Sequence, residues 1–246
     1  MKITFYGTAP GVPVLHKRHS CVRVSTDKLN CILDCGEGAT QAFLEYNDDV
    51  TTLDFVYITH WHPDHAGGIF MLLQMMAIKK RTKTLQLFIP ENKTDFHKIL
   101  EMFYLFRQNL PFQVDLLYCD EVNNFFPELT HFYTDHLYGN TETAAVYHLK
   151  NECLSFGIKI KEKEKTVVYT SDLISFEYIK EYLIGCDICI TDGIHPLVPD
   201  FIELSKMVKD KIYLTHGLRE GVEGVVKNDS KFRIVDDGET VIINGM

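Results

Sequence analysis

Between Thr59 and His65 the chain reads THWHPDH, which puts three histidines and an aspartate within six positions. Imidazole and carboxylate at that density point to metal ligation rather than to buried structural histidines. Pro63 disfavours helical geometry at His62 and holds residues 60 to 62 extended. Extended chain has period two, so His60 and His62 point to one side and Trp61 to the other, giving two imidazoles a shared target. Asp64 and His65 are then expected to turn into a helix that starts near Gly67 and to aim at a second ion beside the first. Nitrogen and oxygen donors suit zinc or manganese, with iron also compatible. Paired divalent ions a few ångströms apart are the usual device for hydrolysing phosphate esters. The metalloprotease pattern His-Glu-x-x-His is a different arrangement, because it needs two histidines on one helical face.

Four ligands cannot satisfy two ions, so the rest of the chain must supply a histidine for each and a bridging carboxylate. The candidates close apolar runs: His136 in FYTDH, Asp172 in VVYTSD and His216 in IYLTHG. His131 and His148 compete for the third-histidine role. His148, however, sits inside a strand pattern, and His131 lacks a following turn. His195, beside Pro196, is the candidate for leaving-group acid or phosphate contact, against the plainer reading of a surface-loop histidine. The segment GTAPGVPVLHKRHS offers backbone amides that cradle a substrate, with Arg18 or His19 reaching in.

The elements that must position these groups are mostly strands. Runs such as KITFY, CVRVS, LNCILD, FVYIT, LQLFI, VDLLY, AAVYHL, TVVYTS, DICIT, KIYLTH and TVIIN are rich in Val, Ile and Tyr and bounded by Gly, Asp or Asn. Between them lie helical stripes. Ile69, Leu72, Leu73 and Met76 follow the i, i+3, i+4, i+7 rule, as do Phe96, Ile99, Leu100 and Phe103. Further helices are expected over 175 to 184, stopped by Gly185, and over 199 to 209. Strands in series and in alternation with helices predict a layered α/β sandwich, two facing sheets with helices outside. A length of 246 residues with no Pro/Gly/Ser linker suits one domain over 1–246.

Composition sets bounds on partners. At 46% hydrophobic and 24% charged the chain is an ordinary globular sequence. It shows no signal-peptide pattern and no run of membrane-spanning length, so a cytoplasmic protein without a membrane partner is expected. Seven cysteines, an odd number spread through strands, are expected to be reduced thiols. Cys186 and Cys189 have C-x-x-C spacing but read as a buried strand. The net charge of −9 repels polyanions at long range. The basic run KKRTK at 79–83 is expected to lie at a helix C-terminus, where cations meet the dipole favourably.

THWHPDHAGG followed by His136, Asp172 and His216 resembles the five-motif pattern of the metallo-β-lactamase superfamily along nearly the whole chain. GTAPGVP at 7–13 and ILDCGEGATQ at 32–41 narrow the resemblance to the ribonuclease Z branch, with one inserted residue, Ala39, as the departure. The resemblance implies a four-layer αβ/βα fold and two divalent metal ions. It places His60, His62 and His136 on one ion, Asp64, His65 and His216 on the other, and Asp172 between them. It also implies that Asp64 handles the proton of the attacking water, a hydroxide bridging the metals being the nucleophile. TDGIHP at 191–196 replaces the HEAT segment of tRNA 3′-processing enzymes, and no long Gly/Pro-rich arm is evident. With YLTHG, that segment is closer to the cyclic-phosphate phosphodiesterase of phosphonate degradation, whose cysteine-bound structural zinc is not evident here. A metal-dependent phosphodiesterase acting on a small or cyclic diester is therefore expected, with a homodimer as a compatible assembly. A tRNA 3′-processing endoribonuclease acting on RNA, or a thioester or lactone hydrolase, are the alternatives.

Overall fold

In a computed structural model of the protein, which describes residues 1–243, the apolar runs of the N-terminal half pair into one sheet. They are β1 (Lys2–Gly7), β2 (Cys21–Ser25), β3 (Asn30–Leu33), β4 (Phe55–Tyr57), β5 (Leu85–Ile89) and β6 (Val114–Tyr118). The C-terminal half contributes β7 (Leu129–Tyr133), β8 (Phe156–Glu162), β9 (Lys165–Tyr169), β10 (Ile188–Asp192), β11 (Lys211–Thr215) and β12 (Phe232–Ile234) to a second sheet. The last strand, β13 (Thr240–Ile242), returns to the first. The chain thus divides into two units, Met1–Glu121 with Asp237–Ile242, and Val122–Asp236 with the stretch from Ile243.

In the first unit the strand order is β13-β1-β2-β3-β4-β5-β6. The pairs from β13 to β3 are antiparallel, and those from β3 to β6 are parallel. The helices are α1 (Ala39–Glu45), α2 (Pro63–Ala66), α3 (Ile69–Ile78) and α4 (Lys93–Met102). The expected stripe of α3, Ile69, Leu72, Leu73 and Met76, is buried with Phe43 of α1 against Ile32, Val56 and Leu87 of the sheet. Each such side chain contributes roughly 1.5–3 kcal/mol on removal from water. The stripe of α4 is narrower than its spacing predicts. Phe96 and Leu100 are buried, whereas Ile99 and Phe103 face solvent.

In the second unit the order is β12-β11-β10-β9-β8-β7, parallel from β12 to β9 and antiparallel beyond. Here the helices are α5 (Val122–Phe125), α6 (Thr141–Val146), α7 (Lys180–Leu183), α8 (Val198–Met207) and α9 (Val222–Asn228). Phe176, Ile179, Leu183, Phe201 and Leu204 pack over Val168, Cys189 and Ile212. Cys186 and Cys189 belong to that core. All seven cysteines are free and buried, and burial pushes the Cys186 thiol up to about 12. No helix among the described residues is long and apolar enough to cross a membrane.

Three local expectations need correction. AAVYHL is not a strand: Ala144 to Val146 end α6, and His148 follows it in the left-handed region with φ 51°. Two adjacent alanines and a mostly exposed surface favour a short helix over a paired strand. The helix expected near Gly67 is α3, but a separate single turn, α2, precedes it from Pro63, because proline's fixed φ suits the first helical position while His62, at ψ 143°, stays extended. Within KKRTK, Arg81 is not a surface cation. Its side chain is buried and donates to the carbonyls of Thr51, Leu53, Lys83 and Thr84.

Candidate metal centre

The first unit carries four of the candidate ligands on one strand-to-helix turn. β4 ends at Tyr57, Thr59 and His60 follow, His62 caps α2, and Asp64 and His65 lie in its only turn. His60 Nε2 lies 3.0 Å from His62 Nδ1, so the two rings meet as period two requires. His65 Nε2 lies 3.6 Å from Asp64 Oδ2. His60 is fully buried and His65 nearly so.

A residue outside the predicted set orients this turn. Asp34 ends the run that begins with β3, and because β3 and β4 are parallel neighbours it stands beside Thr59. Its Oδ2 accepts from His65 Nδ1 at 2.8 Å, and its Oδ1 accepts from the Thr59 amide and hydroxyl, both at 2.8 Å. The Thr59 hydroxyl lies 3.1 Å from His60 Nδ1. One carboxylate thus holds His65 directly and His60 through Thr59. With the Nδ1 nitrogens so engaged, both rings present Nε2, the arrangement by which outer groups fix a metal-ligating tautomer. Asp34 itself adopts φ 59°, a conformation aspartate tolerates better than most residues.

Two glycines let the backbone close on this turn. A Cβ on Gly36 would stand 2.2 Å from the Asp64 carbonyl oxygen, and one on Gly68 would stand 2.2 Å from the Gly36 carbonyl oxygen. Cys35 N donates to His65 O at 2.7 Å and Gly68 N to Cys35 O at 2.8 Å, stitching the DCGEG and HAGG segments together. Arg18 does not project freely from its loop. It is bound to Asp237, Glu45 and the Tyr46 hydroxyl, and His19 is buried.

The second unit assembles its set from four separate loops. Asp172 follows β9, Asp192 ends β10, His216 follows β11 and His136 follows β7. Because β9, β10 and β11 are parallel neighbours, their C-terminal ends come together on one edge, where open α/β sheets bind ligands. Asp172 Oδ2 lies 3.3 Å from His216 Nε2, 3.6 Å from His136 Nε2 and 3.7 Å from His195 Nδ1. His131 instead pairs with Asn123 at 2.9 Å, and His148 is exposed behind α6. Ser171 and His216 are left-handed, at φ 54° and 65°. Such strained backbone is characteristic of functional turns.

Three residues that the sequence reading did not single out tie these loops. Asp135 Oδ1 accepts from the amides of Ile174 at 2.8 Å and Ser175 at 3.4 Å, binding the His136 loop to the Asp172 loop. Asp192 Oδ1 accepts from the amides of Ile194 and His195 at 2.9 and 2.7 Å and lies 3.2 Å from His195 Nδ1. Its Oδ2 accepts from Leu173 N at 3.3 Å. Arg219 donates to the carbonyls of Ile194 and His195. Asp172, Asp192 and His195 bring ligand atoms within 4.8 Å of one another. His195 is the least buried of the three.

The donor sets fit divalent metal. Two ligand atoms each about 2.1 Å from a tetrahedral ion are separated by roughly 3.4 Å. The spacings of His60 to His62 and of Asp172 to His136 and His216 bracket that value. Imidazole nitrogen with carboxylate oxygen suits zinc, manganese or iron rather than calcium.

Comparison with known proteins bears on both units. Residues 1–102 match a family model described as the anti-Pycsar protein Apyc1. Ribonuclease Z of Methanococcus aeolicus is 32% identical over 105 residues, covering 42% of this chain and 33% of that protein. Ribonuclease Z of Thermoplasma acidophilum is 34% identical over 90 residues, covering 37% of this chain and 29% of its own length. The chain thus matches about a third of the length of these curated relatives. Among solved structures, the short form of human tRNase Z aligns with a TM-score of 0.74 at 17% identity, covering 99% of this chain and 100% of that one. The metallo-β-lactamase fold protein YhfI from Bacillus subtilis gives 0.73 at 17% identity over 98% of both chains. A diphosphatase from the PhnP family gives 0.70 at 16% identity, covering 99% and 98%.

Proposed function

Because the chain has the metallo-β-lactamase fold and a 105-residue stretch 32% identical to a ribonuclease Z, we propose that it is a metal-dependent phosphodiesterase acting on a small or cyclic phosphodiester. His60, His62 and His136 would hold one divalent ion and Asp64, His65 and His216 the other, with Asp172 contributing to both. The observation that carries the proposal is the pair of pre-formed donor sets, one in each unit, with ligand-like spacings and carboxylates behind the imidazoles.

Two such ions, when bound, supply Lewis acidity toward phosphoryl oxygens and lower the pKa of water. The chain's own residues do the rest. Asp64, on the first turn of α2, accepts the proton of the attacking water. His195 gives a proton to the departing oxygen, a contribution typically worth about 10²–10⁴-fold. Asp192 lies 3.2 Å from Nδ1 of that ring and accepts from its backbone amide at 2.7 Å, which fixes the loop that carries it. The ring keeps a path to solvent, with 29% of its side chain exposed, as a group exchanging protons between turnovers requires.

Small substrates are favoured over RNA on charge. Tight polyanion binding draws on many cationic contacts, and this chain carries 34 acidic against 25 basic residues. The test is the relative rate of one metal-loaded preparation on a cyclic phosphodiester, bis-p-nitrophenyl phosphate, a precursor tRNA and a thioester. The reading predicts turnover of the small diesters above the other two. Specific 3′ cleavage of precursor tRNA that outpaces every small diester would overturn the substrate assignment, and faster thioester hydrolysis would overturn the reaction class.

A further inference from the structure

A second concavity lies in the first unit, apart from the ligand-bearing turn. Alternation along β1 turns Lys2, Thr4 and Tyr6 to the face on which α1 packs. Strand pairing sets Ser25 beside Lys2, and Arg23 and Thr240 beside Thr4. α1 is short and covers only the Tyr6 end, where Tyr6 meets Phe43 edge to face at 5.1 Å. The remainder of that face floors a cavity of about 440 Å³ walled by Tyr46, Asn47 and Asp48, within the size range of small-molecule sites.

Its chemistry is cationic. Arg23 is only 6% exposed, yet part of its fork is uncommitted. Nε donates to Asp48 Oδ2 at 3.0 Å and Nη1 to Cys31 O at 3.4 Å, while Nη2 has no hydrogen-bond partner among the described residues. Asp48 is engaged elsewhere too, since it also accepts from the Tyr6 hydroxyl and the Asp49 amide. Burial opposes its ionisation, but the bonds from Tyr6 and Arg23 outweigh that and hold the carboxyl below its ordinary value. Lys2 makes no ion pair among the described residues. Arg18, behind the wall, donates to the Tyr46 hydroxyl at 3.2 Å, its own charge being met by Glu45 and Asp237. Two lining cations therefore face one committed carboxylate, in a chain whose net charge is −9.

We propose that this cavity binds a small phosphomonoester of about sugar-phosphate size, its phosphate held by Arg23 Nη2, the Lys2 ammonium and the Ser25 hydroxyl. A tetrahedral phosphate presents three acceptor oxygens to three donors that arrive from different directions, whereas a carboxylate presents two. The cavity is larger than a phosphate alone, and the Tyr46 ring and Asn47 amide are left for the organic part. The site is independent of the metal-ligating turn and of the reaction proposed for it.

The experiment is calorimetric titration of ribose 5-phosphate into metal-loaded protein, with ribose as the uncharged control. The wild type is expected to bind the phosphate ester and not ribose. Lys2→Glu and Arg23→Gln should each weaken that binding by at least about tenfold, as loss of a charge-assisted hydrogen bond implies. His62→Ala, which disables the metal set, should retain it. If Arg23→Gln fails to fold, Lys2→Glu, at an exposed position, carries the test. Affinity unchanged in Lys2→Glu, binding abolished in His62→Ala, or no binding by the wild type at millimolar ligand would each overturn the proposal.

Discussion

The two donor sets reach similar chemistry by opposite routes. In the first unit His60, His62, Asp64 and His65 lie on one turn, and a single outer carboxylate, Asp34, steadies two of the three rings. In the second, His136, Asp172, His195 and His216 come from four loops up to 80 residues apart, and no local turn brings them together. Strand order does, with Asp135, Asp192 and Arg219 tying the loops afterwards. A set built on one turn depends on local geometry, and a set built on a sheet edge depends on the whole unit being folded. The first should tolerate distant damage. The second should be sensitive to any loosening of its ties.

The largest expected effect does not distinguish the two sets, because each is proposed to be indispensable. His62→Ala in the first and Asp172→Ala in the second should each take phosphodiesterase activity to background, while far-UV dichroism stays native. Activity within a few-fold of wild type in either variant would remove that residue from the site. Next comes His195→Ala, expected to cost about 10²–10⁴-fold on diesters with alkoxide-like leaving groups and much less on nitrophenyl esters, which depart without a proton. Equal losses on both would leave His195 with no acid role. The outer carboxylate of the first unit follows. Asp34→Ala should lower metal affinity or activity by about 10–100-fold, measurable by competition with a chelator. Smallest is Asp135→Ala. It removes the acceptor of the Ile174 and Ser175 amides, at about 0.5–1.5 kcal/mol of stability, and it should raise the midpoint metal concentration for activity without changing the ligands. If Asp135→Ala proved silent while Asp34→Ala did not, the ties would be dispensable and the contrast between the units would be weaker than their geometry suggests.

The same contrast explains what the sequence made legible. THWHPDH could be read because its ligands are neighbours and Pro63 fixes the local backbone. His136, Asp172 and His216 were visible only as polar residues closing apolar runs, and their spatial grouping follows from a strand order that no local pattern encodes. Asp34 and Asp192 carry the same signal, an acid ending the runs NCIL and ICIT, but nothing local says what they face. Strand β8 alternates Phe156, Ile158 and Ile160 against Lys159 and Lys161, a period-two pattern that Gly157 obscures by reading as a break. The apolar residues of AAVYHL imitate a strand because a run of six cannot separate one helical turn and a half from an edge strand.

The claim on which the rest depends is that the candidate His and Asp ligands hold two ions, and metal content per chain tests it most directly. Elemental analysis of protein reconstituted with zinc or manganese should give close to two ions per chain for the wild type and clearly fewer for both His62→Ala and Asp172→Ala. A wild-type protein that takes up no metal, or a stoichiometry of two that survives unchanged in Asp172→Ala, would contradict the account.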